Sequence, residues 1–399
     1  MNQTLIPLKY VATITLGKML QNDPSSSHDV ELPYVRAASI GQDGKLRYND
    51  AKTMWFKPNE VETLSLLKGD VLVVEGGDVG RSIVLSQDEP GWGFQNSINR
   101  VRPFPGNDGR FLQYQIEHLR ACGYLRLICD AVSFHHLTAE KLATVQVRIP
   151  TSVQQQRIAD YLDIETAKID HLIAKQRELI SLSEDRLSAF IENALMKGIP
   201  HDNTSPMEWR RVKHLFKLRD ERNHLEREEV TLLSLYAKHG VRKYDEIEER
   251  TGNPVRTVQD YKCVHAGDII VNIILAWMGS IGRSPHNGVI SPAYDIWTPL
   301  EEVSSRYYHY LFRTKWFSGE CYKRGKGIMM MRWRTYADQF GDIYVPFPTQ
   351  QEQDYLVTLI EREESQVQNL ISKCQRMIDL LQERRSTLIT AAVTGQIEV

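Results

Sequence analysis

The residues best equipped to bind a charged polymer lie at 313–334. Seven cations, Arg313, Lys315, Lys323, Arg324, Lys326, Arg332 and Arg334, stand against one acid, Glu320, a local charge of +6. Trp316, Phe317, Tyr322 and Trp333 are interleaved among them. Lysine and arginine neutralise phosphates, and arginine can take guanine bidentately in a major groove. Gly325, Lys326 and Gly327 leave the stretch free to follow such a groove. The plainer alternative is a solvated helix face above core aromatics. The matching stretch of the first half, 115–136, carries less charge and offers Arg120, Arg126, Ser133, Phe134, His135 and His136. Adjacent histidines could ligate a metal, but without further ligands they read more simply as loop residues.

Two glycine-rich segments invite a phosphate-loop reading, GlyGlyAspValGlyArgSer at 76–82 and GlySerIleGlyArgSer at 279–284. That reading fails, because the GxxxxGK[ST] spacing is absent and Arg81 stands where lysine is required. Both segments are predicted to be tight hairpin loops that present Arg81 and Arg283, with an ordinary exposed turn as the alternative. No HExxH, GxSxG, Cys/His metal cluster, nuclease carboxylate set or methyltransferase loop pair occurs. A binding protein is favoured over an enzyme. The net charge of -2 supplies no global basic field, so any nucleic-acid contact must be local.

The elements that position these residues come in two copies. Residues 150–199 align without a gap on 348–397, an offset of 198, with 14 identities in 50 positions. Polar residues are among them: Gln155/Gln353, Glu165/Glu363, Lys175/Lys373 and Arg186/Arg384. LysGlyAspValLeuVal at 68–73 matches AlaGlyAspIleIleVal at 266–271, and the Gly-Arg-Ser turns follow after a four-residue insertion in the second copy. The chain reads as domain 1–150, helix 151–199, domain 200–347, helix 348–399.

Residues 153–197 lack proline and glycine, and apolar positions recur every 3.5 residues, the period of a coiled coil. The first seam runs through Leu162, Ile169, Ile173, Ile180, Leu187 and Phe190. Its counterpart runs through Ile360, Val367, Ile371, Ile378, Leu381 and Leu388. Polar interruptions, Gln176, Glu364 and Arg385, would weaken the pair but fix its register. Gly198 and Gly395 read as helix stops. Each helix spans ~65–70 Å, whereas the linker after the first reaches at most ~30 Å. The second domain must therefore sit near the end of the first helix, and the second helix must return antiparallel. Strands are expected at Val71–Val74, Ile269–Ile273, Ile83–Leu85, 144–149 and 342–347, with domain helices at about 110–127 and 304–318.

The 399 residues suggest two to four domains, and 42% hydrophobic with 25% charged content is ordinary for globular proteins. Five scattered cysteines without a CxxC argue against a disulfide framework or structural zinc and for a reducing cytoplasm. No run of ~18 apolar residues occurs, so no membrane span is expected. The start, MNQTLIPLKY, lacks the features of a signal peptide.

This layout resembles the specificity subunit of a type I restriction–modification system. The resemblance covers the whole chain. It rests on Gly-Asp-strand-Gly-x-(Val/Ile)-Gly-Arg in each globule, on the (Ile/Phe)-Pro-Thr junctions, on GlnGlnGlnArgIleAlaAspTyrLeuAspIleGluThrAlaLysIleAspHisLeuIle at 154–173 and on ArgArgSerThrLeuIleThrAlaAlaValThrGly at 384–395. It implies an α+β fold of two mixed α/β target-recognition domains separated by two long antiparallel coiled-coil helices, a pseudo-two-fold tandem repeat. Each domain is expected to read half of an interrupted double-stranded DNA site, and the helices to set the unread gap. Two methyltransferase subunits would dock and use S-adenosylmethionine; motor-nuclease subunits would join, with ATP and Mg. None of these cofactors is expected on this chain. The implied recognition residues are Gly80, Arg81, Ser133, Phe134, His135 and His136, then Gly282, Arg283, Lys326, Met331, Arg332 and Arg334. Arg126, Lys323 and Arg324 join them as DNA-binding candidates. One departure is IleIleLeuAlaTrpMet at 273–278, an apolar stretch expected to be core, a wedge or a methyltransferase contact. A coiled-coil adaptor between proteins, or a nuclease or methyltransferase acting alone, is the rival reading.

Overall fold

The computed structural model describes residues 5–41, 44–129, 136–197, 207–236, 240–246, 257–328 and 333–398. They form two compact units, residues 1–176 with 375–399 and residues 177–374. Each unit holds one globular domain and one end of each long helix.

In the first unit, Leu5–Pro7 pairs antiparallel with Gln146–Arg148, so the domain's entry and exit strands lie side by side. Ala12–Leu16, Ile98–Pro103, Val71–Val74 and Ser82–Val84 form an antiparallel sheet in that order. Val71–Val74 is buried on both faces, which explains its unbroken run of apolar residues. Val71 and Val73 face the helix Gly109–Ala121 through Phe111, Leu112 and Ile116. Leu72 and Val74 face a second core shared with the three-stranded sheet of Val30–Val35, Lys52–Phe56 and Gly93–Phe94.

The second unit repeats this plan. Trp209–Arg211 pairs with Tyr344–Pro346. Phe216–Arg219, Tyr294–Pro299, Ile269–Asn272 and Ile281–Arg283 form the equivalent antiparallel sheet in the equivalent order. Ile269 and Val271 pack on Tyr307, Tyr308 and Phe312, while Ile270 turns to the opposite core with Leu233 and Leu235. Two separate strand pairs, Leu233–Tyr236 with Gly240–Lys243 and Lys262–Val264 with Gly288–Ile290, replace the three-stranded sheet.

The repeated Gly-Asp pairs are turn-builders. Gly69 and Gly267 take φ of 86° and 102°, a region open to glycine at no steric cost. Asp70, buried, accepts the Leu67 N–H at 2.9 Å and both Arg102 guanidinium contacts at 2.7 Å. Asp268 accepts the His265 N–H at 2.8 Å, Arg219 Nε at 3.1 Å and the Thr298 hydroxyl at 2.9 Å. In both copies the carboxylate closes its turn and ties in a neighbouring strand.

The long helices are Ser152–Lys197 and Gln350–Thr394. Each starts on a reciprocal cap at the Pro-Thr junction. Thr151 and Gln154 exchange bonds at 3.2 and 3.4 Å, and Thr349 with Glu352 at 2.8 and 3.4 Å, the capping-box arrangement. Gly395, at φ 74°, ends the second helix. Pairing is antiparallel within each unit: Ile158, Ala159 and Leu162 pack with Ile389, Ala392 and Val393 in one, and Leu195 with Leu356, Val357 and Ile360 in the other.

The domain helices are shorter than the sequence pattern suggests. Gly123, at φ 79°, divides the expected 110–127 helix into Gly109–Ala121 and Tyr124–Leu127. Thr314 divides the other into Ser305–Leu311 and Lys315–Arg324, its hydroxyl accepting the Phe317 N–H to begin the second piece. Apolar periodicity runs through both breaks and so does not reveal them.

Candidate nucleic-acid interface

Gly80 and Arg81 occupy the turn between Val71–Val74 and Ser82–Val84. Gly80 is buried at φ 79°, and a Cβ there would lie 2.4 Å from Leu125 Cδ1. Arg81 is folded onto its own domain, donating to the Ala37 carbonyl at 2.9 Å and lying 3.4 Å from Asp78. In the second unit Gly282 is buried against Leu235. Arg283 Nε donates to Ser305 Oγ at 3.0 Å, and its backbone N–H donates to His309 Nδ1 at 3.1 Å. Burial, with help from Arg306, holds the Arg283 guanidinium below its ordinary pKa. Both arginines therefore brace their turns, where the sequence led us to expect outward presentation.

His309 is the residue of this group that the sequence did not single out. Burial, then Arg313 and Arg283, push its imidazole down to about 4, so the ring is neutral and accepts the Arg283 N–H. The equivalent residue in the first domain is Gln113, set by the alignment of Arg110 and Tyr114 on Arg306 and Tyr310.

The basic segment of the second unit is anchored by its aromatics. Phe317 is buried in the core and Trp316, half-buried, packs against it. Tyr322 stacks on Trp333 with ring centroids 5.2 Å apart, and Trp333 Nε1 donates to the Tyr322 carbonyl at 3.1 Å. A Cβ at Gly325 would lie 2.3 Å from Trp333 Nε1, so glycine admits the indole here. Lys326 and Arg334 exchange backbone hydrogen bonds at 2.9 and 3.0 Å and close a loop. Met331 and Arg332 lie outside the described residues. Glu320 pairs with Lys323 at 2.8 Å and with Arg324. Exposed Lys315 and Lys326 have no acidic partner among the described residues.

The first unit is sparser. Arg126 is exposed on the short helix after Gly123, and His136 is exposed where it bridges to Gly76. Ser133, Phe134 and His135 lie outside the described residues. Among the described residues no cluster of three or more His, Cys, Asp or Glu could hold a metal ion.

Along the helices, Leu162, Ile169, Ile173, Ile360, Ile378 and Leu381 are buried. Ile180, Leu187, Phe190, Val367, Ile371 and Leu388 are half-buried. Polar seam positions hold the domains to the helices. The Tyr310 hydroxyl donates to Glu364 at 2.9 Å, and Arg385 pairs with Glu117 and with Asp170. The buried glutamines do the same in both copies: Gln155 accepts the Asp108 N–H and donates to the Pro150 carbonyl, while Gln353 accepts the Ser304 N–H and donates to the Pro348 carbonyl. Their identity across the 198-residue offset marks the repeat but not this role, since Glu165/Glu363, Lys175/Lys373 and Arg186/Arg384 are equally identical. Among the described residues no helix is long and apolar enough to cross a membrane.

The family model of the type I restriction modification DNA specificity domain matches residues 5–181. A structure from work on complex assembly and conformational transition of the type I R-M system is similar at TM-score 0.72 and 12% identity, over 99% of this chain and 98% of that one. The HsdS subunit from Thermoanaerobacter tengcongensis is similar at TM-score 0.53 and 13% identity, over 99% and 97% of the two chains. At these identities the likeness is one of fold. No curated protein matches the sequence.

Proposed function

We propose that this chain, whose residues 5–181 match the family model of the type I restriction modification DNA specificity domain, is the DNA-recognition subunit of a type I restriction–modification complex. Its part is recognition without catalysis. The observation that carries this reading is duplication: the same four-stranded order, the same Gly-Asp turns and the same glutamine-locked helix starts occur twice. Two readers of one build suit a bipartite site whose half-sites recur about 34–36 Å apart or at multiples of that. The paired helices set the unread gap between them.

The DNA-facing set comprises Arg126, Ser133, Phe134, His135 and His136 in the first domain and Lys323, Arg324, Lys326, Met331, Arg332 and Arg334 in the second. Gly80, Arg81, Gly282 and Arg283 act beside them by fixing the turns. Both helices also expose a matching apolar row, Leu172, Leu179 and Leu182 on one and Leu370, Met377 and Leu380 on the other. Equivalent rows suit two copies of one partner, which we assign as methyltransferase subunits. These carry S-adenosylmethionine, and motor-nuclease subunits with ATP and Mg complete the complex in the cytoplasm.

Methylation mapping on randomised duplex DNA, with the chain joined to its methyltransferase partner, tests this. The expected product is methylation within an asymmetric, gapped site. A continuous palindrome would overturn the reading. Exchanging residues 200–347 for another family member's should alter one half-site only, and deleting one heptad from both helices should shorten the gap without changing the bases read.

A further inference from the structure

The apolar insertion and the basic segment of the second domain, far apart in sequence, form one surface. Asn272 ends its strand and caps the insertion, its side-chain oxygen accepting the Ile274 and Leu275 N–H groups at 3.0 and 3.2 Å. Ala276–Met278 follows as a 3-10 turn, closed by Gly279 at φ 78°. Trp277 Nε1 donates to the Ile274 carbonyl at 3.0 Å, so the indole is fixed. The Thr335 N–H donates to the Ile273 carbonyl at 2.9 Å, tying the insertion to the end of the basic loop. Trp277, Tyr322 and Trp333 then form a continuous row, with centroid distances of 5.9 and 5.2 Å.

This turn buries only part of what it carries. Ala276 is in the core, whereas Met278 is 59% exposed. Between the turn and the helix Lys315–Arg324 lies an open groove of about 570 Å³, lined by Trp277, Met278, Arg313, Lys315 and Tyr322 among others. Its walls are apolar and its charged lining residues are cations. A locked apolar turn with an exposed methionine is a poor use of sequence if it serves only the core. It fits a ligand with flat apolar faces and an anionic edge, which describes a DNA base step and its phosphates. Apolar side chains inserted at a base step unstack it and kink the duplex, and aromatic faces accept the unstacked base regardless of sequence. The first domain has no such insertion: Val74 passes directly to the Gly76–Gly80 turn.

Resting on the specificity role proposed above, we infer that Met278 and Trp277 form a wedge-and-groove contact that unstacks a base step in the half-site read by the second domain, with Lys315 on the adjoining phosphate. The contact is to DNA rather than to a protein partner.

The complex of this chain with its methyltransferase partner serves for the test, using duplexes of the mapped site and of random sequence. Met278→Ser, at an exposed position, should lower affinity for the mapped duplex about tenfold, the cost of one mispaired position. It should relax preference at one or two adjacent positions of that half-site and leave random-duplex affinity within about twofold. Lys315→Glu should weaken both duplexes alike. 2-Aminopurine stepped through the half-site should brighten at one step with the unmodified chain and stay dark with Met278→Ser. Unchanged preference and unchanged fluorescence would overturn the inference. So would a Met278→Ser chain that binds DNA normally but no longer assembles with the methyltransferase subunit. An unmodified complex with no preference for any duplex would instead overturn the specificity role itself.

Discussion

Val71–Val74 and Ile269–Asn272 hold the same place in the same strand order, but the chain leaves them differently. In the first domain it enters a tight glycine turn that packs Gly80 on Leu125. In the second, Asn272 caps an apolar turn that exposes Met278 beside a basic segment. The shared part comprises buried carboxylates, capping boxes and locked glutamines. The differing parts are surface turns and outer strands. A duplicated scaffold can thus keep its internal hydrogen bonds while its surfaces diverge, because a buried polar group without its partner costs stability and an exposed loop residue seldom does.

The strongest test of this equivalence is the buried aspartate. Asp70→Ala and Asp268→Ala should each cost about 2–3 kcal/mol, since each removes a buried acceptor shared by an arginine and a backbone donor, although Arg102 keeps the Ser65 carbonyl and Arg219 keeps Glu221. Urea denaturation followed by domain-resolved hydrogen exchange measures both, and a large loss in only one copy would break the comparison. Gln155→Ala and Gln353→Ala should follow at about 2 kcal/mol each, seen as faster exchange at the start of the corresponding helix.

His309 sharpens the contrast, because its counterpart is Gln113. Its folded pKa lies below the ordinary histidine value, so the unfolded chain binds the extra proton first. Stability from this site is fully present above pH ~6.5, is lost as pH falls toward about 4, and changes no further below that. His309→Gln keeps an acceptor for the Arg283 N–H and removes the titration. At pH 5 it should be more stable than the unmodified chain by about 2 kcal/mol, with no such gain at pH 8. Thermal melts at the two pH values decide this. The smallest effect concerns single surface charges. Lys326→Ala should reduce the salt dependence of DNA binding by roughly one released counterion, and Arg126→Ala by less. Equal slopes would remove the electrostatic difference between the domains.

Much of the architecture was legible because it depends on pattern. The 3.5-residue period marked the long helices, and recurrence at one offset marked the repeat; that Gln155 and Gln353, among several identical polar pairs, lock the Pro-Thr junctions was not legible. The turn arginines were less legible. Arg81 and Arg283 stand in segments that look exposed, yet one reaches back to Ala37 and the other to Ser305. Those partners lie 44 and 22 residues away in the chain, and no local rule identifies them.

The sequence by itself determined the duplication, the helix lengths and the antiparallel return, since periodicity, identity at a fixed offset and a short linker are one-dimensional constraints. Tertiary structure alone decided which polar residues serve the inside. Asp70 and Asp268 became clamps, and Glu364 and Arg385 became ties between helix and domain, because hydrogen-bond partners are chosen by proximity after folding. The meeting of Trp277 with Tyr322 and Trp333 was likewise settled only when Ile273 and Thr335 were brought together.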